Sequence, residues 1–204
     1  MANDDFAEGL RPVNWKSDTL PVHVYEADSA AARGVIFMGQ PVALDASGLV
    51  GNAVQVGGTG TAYLGVAVGF LSANAGGPQS DTLPYLDTGG TAKRFVIVAD
   101  DPDQEFLIQA DTGGTLATLA ARGESADLIY RSAGSGNTTT GRASLELDAS
   151  SNVATNSGAV IILRLHDVTN SDGTQNAAGA NYTKWIVRID NHQKRGQPVV
   201  NTAI

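Results

Sequence analysis

The longest apolar run in the chain, YLGVAVGFL at Tyr63 to Leu71, is the length of a single strand, with a glycine turn on one side and a polar loop on the other. The same rhythm recurs. LPVHVYE, GVIFM, PVALD, KRFVIVAD, QEFLIQA, RASLELD, AVIILRLH and YTKWIVRID are short, many rich in β-branched residues, and mostly separated by Gly, Asp, Asn, Ser or Pro. A count of 24 glycines with only 17% charged residues matches many short strands joined by tight turns. The best helix candidate is TLATLAARG at Thr115 to Gly123, where Leu116, Leu119 and Ala120 share a face, Arg122 suits the last turn and Gly123 can end it. The expectation is an all-β chain, an antiparallel β-barrel or β-sandwich of jelly-roll-like type, with an extended N-terminal arm and at most one or two short helices.

At 204 residues the chain can hold one large β domain or two small ones. Residues 1–19 mix acidic residues and Pro with three isolated large apolar side chains, Phe6, Leu10 and Trp15, and read as the arm. A solvated arm has no use for such side chains, so they are expected to dock, on the same chain or on a neighbour. Residues 20–75 read as a small β-barrel-like unit closed by the loop SANAGGPQSDTLP, and residues 76–204 as an antiparallel β-sandwich unit with a C-terminal tail. Inside the second unit, FVIV and FLIQ flanking Asp-Asp-Pro-Asp read as a hairpin whose turn is fixed by Pro102. Along WIVRI, Trp185, Val187 and Ile189 alternate and share one strand face, packed in a core or between protomers.

Several chemistries can be tested on the residues. Asp-Thr-Gly occurs twice, at Asp87 and Asp111, as in the catalytic loops of aspartic proteases. The two motifs are 24 positions apart, too close to build two lobes, and Asp-Thr-Gly-Gly is itself good turn chemistry. Asp101, Asp103 and Glu105 alternate as calcium ligands might, but the glycine and the final glutamate of an EF-hand loop are missing, leaving room only for an adventitious cation. Gly57 to Thr61 lacks the lysine of a phosphate loop. His23, His166 and His192 lie far apart, each at a strand or its end. With no cysteine there is neither a disulfide nor a thiolate ligand or nucleophile. A net charge of −8 with scattered basic residues argues against nucleic acid as a partner. The acidic N-terminus does not read as a secretory leader, and no run approaches the length of a membrane helix. No catalytic, cofactor or metal residues are therefore assigned, and the chain reads as non-enzymatic.

The order RFVIVADDPDQEFLIQAD, ADLIYRSAGSGNTTTGRASLELD, AVIILRLHDVTNSDG and YTKWIVRIDNHQ resembles structural proteins of tailed-bacteriophage heads. GVIFMGQPVALDASGLVGNAV followed by AYLGVAVGF is similar to the small β-barrel modules of capsid decoration, or cement, proteins. The resemblance spans roughly residues 20 to 195 as an order of features. It implies a virion protein on the outer capsid surface, made in the host cytoplasm, that binds the major capsid protein and bridges its subunits, often as a homotrimer. In that setting Phe6, Leu10 and Trp15 would be capsid or inter-subunit contacts, and Lys194 to Ile204 a second arm. A head-fibre base or a carbohydrate-binding β-sandwich is the alternative, although it should carry clustered aromatics, and Trp15 and Trp185 stand in unlike contexts. A major coat protein would need a long spine helix that the sequence does not offer.

Overall fold

The computed structural model describes residues 3–13, 20–27, 34–53, 62–74, 77–87, 93–112, 118–131, 135–151 and 158–195. They form an all-β fold built on two sheets. The larger has the order β4 (Pro41–Leu44), β5 (Val50–Asn52), β2 (His23–Ala27), β9 (Arg94–Ala99), β6 (Gly65–Asn74), β7 (Gly77–Thr82), and β4 also pairs with β6. The second has the order β1 (Arg11–Val13), β10 (Glu105–Gln109), β17 (Lys184–Ile189), β16 (Val160–Leu165), β11 (Ser125–Ala126). Three two-stranded ribbons complete it: β3 (Ile36–Phe37) with β8 (Tyr85–Leu86), β12 (Leu128–Tyr130) with β15 (Leu145–Leu147), and β13 (Gly136–Asn137) with β14 (Arg142–Ala143). Pairing within the sheets is antiparallel except for one β2–β5 contact at Ala27 and Val50.

Each sheet has its own core. Val42, Val50, Leu64, Phe70, Val96 and Val98 fill the interior of the larger sheet. Leu10, Phe106, Ile108, Leu147, Ile162 and Trp185 anchor the other cluster. Trp185, Val187 and Ile189 are at most 2% exposed, so the alternation of β17 lies in a core of the chain itself. β6 serves both cores, since Val66 belongs to one and Ala67 and Phe70 to the other, and the bulge between Ala67 and Gly69 brings Ala67 and Phe70, three residues apart, onto the same face.

Three expectations need correction. The strands on either side of Asp-Asp-Pro-Asp are not a hairpin: β9 pairs with β2 and β6, while β10 pairs with β1 and β17. The tight turn in which the Gln104 amide donates to the Asp101 carbonyl therefore carries the chain from one sheet to the other. The larger sheet thus runs through the boundary expected near residue 75, because β6 and β7 form a hairpin across it and β9 lies inside the sheet. The helix expected at 115–123 is, among its described residues, one 3-10 turn at Leu119–Ala121, capped by Thr118. Its inward residue is Ala121, whereas Leu119 is 50% exposed and Ala120 is also exposed. The Gly123 amide bonds to the Ile162 carbonyl and draws the chain back to β16 before a helix can grow.

The expected arm is also part of the fold. β1 is an edge strand paired with β10 from Arg11↔Leu107 to Val13↔Glu105. Ahead of it the chain crosses residue 39 so closely that a Cβ on Gly9 would lie 2.5 Å from the Gly39 carbonyl oxygen, and one on Gly39 2.4 Å from that of Glu8. Both glycines have positive φ, and the Leu10 amide donates to the Gly39 carbonyl at 2.8 Å. This crossing drives Leu10 into the core.

Candidate interaction surface

The arm is held in place by its own polar side chains, Asn3, Asp4, Asp5 and Glu8. Asn3, 5% exposed, donates through Nδ2 to the carbonyls of Ala177 and Asn181 and accepts at Oδ1 from the Ala177 amide and Asn170 Nδ2. Asp4 accepts from Ser171 Oγ, and its own carbonyl accepts from Lys184 Nζ at 2.9 Å. Asp5 forms a bidentate pair with Arg131 and accepts from Gln109 Nε2, which also donates to Glu146. The Arg131 hydrogen bonds hold the Asp5 carboxyl below its usual range, and burial pushes the Glu146 carboxyl up. Glu8 pairs with Arg142 at 3.1 Å and stands 3.8 Å from Arg11.

These anchors leave Phe6 outermost, 63% exposed on a ridge between two depressions. On one side is a broad polar groove of about 570 Å³ bordered by Arg131, Asn137, Thr140 and Arg142. On the other is a smaller cavity of about 120 Å³ whose walls include Leu107, Val168, Arg11 and Lys184. The three contact residues expected from the sequence therefore separate. Phe6 is available to a partner, Leu10 is fully buried in the chain's own core and is not, and Trp15 lies outside the described residues. The second arm, Lys194 to Ile204, is described only to Arg195.

A second apolar area lies on the outward side of the larger sheet. Register places Val24 beside Ile97 and Ile97 beside Gly69, and places Glu26 beside Phe95 and Phe95 beside Leu71. Val22 is 38% and Val24 49% exposed, and Phe95, Ile97 and Leu71 are partly exposed. At one end of this face Val66 and Ala99 are already covered by the core under Trp185, so the apolar strip continues outward from an internal contact. Among the described residues the other edge of β2 is paired only at Ala27.

The polar motifs resolve into structural roles. Asp87 pairs with Arg94 at 2.7 Å, while Asp111 accepts from the Ala149 amide, so each carboxylate has a partner of its own. The alternating acids of the crossing turn outward to different partners: Asp101 accepts from the Asp103 amide, Asp103 pairs with Arg188 and Arg195, and Glu105 with Arg164. No group of three His, Cys, Asp or Glu able to hold a metal occurs among the described residues. No helix among them is long and apolar enough to cross a membrane.

Sequence reasoning missed Asp100. Its side chain is 2% exposed and meets His23 Nδ1 at 2.8 Å, the Tyr25 hydroxyl and Lys194 Nζ. Burial would raise this carboxyl, but the bonds from Lys194, Tyr25 and His23 outweigh it and hold it low. Close by, His192 accepts at Nδ1 from the Lys194 amide, and burial with the nearby Arg195 and Lys194 pushes its pKa down to about 4, so it is neutral at pH 7. Hydrogen-bond partners drawn from residues 23, 25 and 194 leave no local signal at Asp100. The node ties the second 3-10 turn, Gln193–Arg195, to the end of β9.

Comparison with family models, with curated proteins and with solved structures finds no match.

Proposed function

We propose that the chain is a non-enzymatic structural protein of a tailed-bacteriophage head, binding the outer capsid surface and bridging major capsid protein subunits as a homotrimer. The observation that carries the reading as an assembly protein is the outward strip of Val22, Val24, Leu71, Phe95 and Ile97. An antiparallel sheet with one face on a core ordinarily turns polar residues outward, and a contiguous apolar patch marks an interaction surface. Phe6 adds a large apolar side chain on a segment pinned by at least four polar side chains, so little ordering entropy opposes its use as an anchor. The assignment to a phage head draws on the order of strand and turn segments in the sequence. A net charge of −8 is consistent with a particle surface that stays clear of nucleic acid.

The test adds purified protein to mature and immature heads that lack it and follows co-sedimentation and resistance to heat. Binding with a gain in heat resistance is expected for the wild type, and a reduced gain for Val24→Lys, which places a charge on the strip while leaving both cores intact. Failure to co-sediment with either form would sink the capsid reading. A monomeric mass by light scattering at high concentration would remove the trimer.

A further inference from the structure

We propose that the cavity beside Phe6 is a binding site for a small apolar monocarboxylate, its hydrocarbon part held between Phe6, Leu107 and Val168 and its carboxylate by Arg11 and Lys184. Size sets the first limit. The cavity measures about 120 Å³, and an apolar cavity of roughly 150 Å³ accepts benzene, so a branched chain of about four or five carbons fits.

Charge sets the second. The Arg11 side chain is 55% exposed, and its carboxylate neighbour among the described residues, Glu8, is 3.8 Å away, beyond hydrogen-bond range, and closer to Arg142. Lys184 is described as giving one hydrogen bond, to the Asp4 carbonyl, and an ammonium has three donors. Both cations therefore have donor capacity for an incoming carboxylate. His166 lines the same cavity, where burial, Arg11 and Arg164 disfavour its proton and Asp167 favours it, with the balance holding its pKa below the usual value. Of the carboxylates nearby, Glu8 pairs with Arg142, Asp5 with Arg131 and Asp4 accepts from Ser171, while Asp167 is exposed beside His166. An apolar floor under two cations recognises a carboxylate joined to a compact hydrocarbon, as in a free branched-chain acid or the terminal residue of a peptide.

The site is read on the isolated protein, so its failure and that of the capsid reading are separate results. Isotope-labelled protein is titrated by amide-resolved NMR with isovalerate, N-acetyl-leucine, isovaleramide and N-acetyl-leucinamide. Saturable shifts confined to the cavity residues are expected for both acids, with dissociation constants near or below about 10 mM, as a charged contact plus a few buried carbons gives. Tighter binding of N-acetyl-leucine identifies a peptide terminus as the source, and tighter binding of isovalerate a free acid. Each amide should bind at least about tenfold more weakly than its acid. Arg11→Gln should lose a similar factor, with a spectrum otherwise like the wild type, and Phe6→Ala should weaken acid and amide alike. Equal affinity for acid and amide, unchanged binding in Arg11→Gln, or no saturable shift for either acid overturns the proposal.

Discussion

Replacing Leu10 by Ala deletes a side chain that is fully buried in the core with Phe106, Ile108 and Trp185. The loss combines transfer of the side chain to water with a cavity that cannot collapse, because the Leu10 backbone is fixed to the Gly39 carbonyl at 2.8 Å and β1 begins at the next residue. A cost of about 2 to 5 kcal/mol follows. For a domain of this size each kcal/mol lowers the melting temperature by roughly 2 to 4 °C, so a drop on the order of 10 °C is expected. Phe6→Ala, four residues away on the same segment, removes a larger side chain that is 63% exposed and should stay within about 0.5 kcal/mol of the wild type. Urea unfolding read by tryptophan fluorescence and by far-UV circular dichroism gives both values from the shift in midpoint at constant slope. Near-equal shifts for the two variants would refute the reasoning, since they would mean that residues 3–13 are a detachable arm. Deleting residues 1–19 should likewise unfold or severely weaken the protein, since it removes Leu10, the β1 ladder and the Asn3 contacts together.

Two carboxylates should respond to pH in opposite directions. Asp100 has a folded pKa below its ordinary 3.8, so its contribution to stability is present above that value and is lost as pH falls through the lower folded value. Asp100→Asn should therefore cost about 1 to 3 kcal/mol at pH 7, after allowance for the partial exposure of Lys194, and the deficit should shrink on acidification in urea midpoints measured against pH. Glu146 has a folded pKa above its ordinary 4.5, so its ionisation weighs against the folded state as pH rises past that value. Glu146→Gln keeps an acceptor for Gln109 and should be neutral or stabilising at pH 7, with any gain fading below pH 4.5 in the same assay; a clear destabilisation at pH 7 would contradict the assignment.

The all-β architecture was legible because short alternating segments and turn residues are local signals, and the alternation of Trp185, Val187 and Ile189 marked a core face directly. Phe6 and Leu10 show where that legibility ends. In sequence both are isolated apolar residues in an acidic segment; what separates them is the crossing of Gly9 over Gly39, a contact across 30 residues that places one side chain in the core and the other in solvent. The misread hairpin has the same origin. Two apolar strands joined by Asp-Asp-Pro-Asp look alike whether they pair with each other or part to join different sheets, because the choice depends on partners elsewhere in the chain. β9 finds its partners in β2 and β6, and β10 finds them in β1 and β17. Once the chain must cross between sheets, Asp100, the residue after β9, is enclosed beside β2 and the 3-10 turn at Gln193–Arg195. A buried carboxylate there needs partners, and residues 23, 25 and 194 supply them. The node that sequence reasoning missed is thus a consequence of the crossing it misread, since a hairpin would have left Asp100 in an exposed turn.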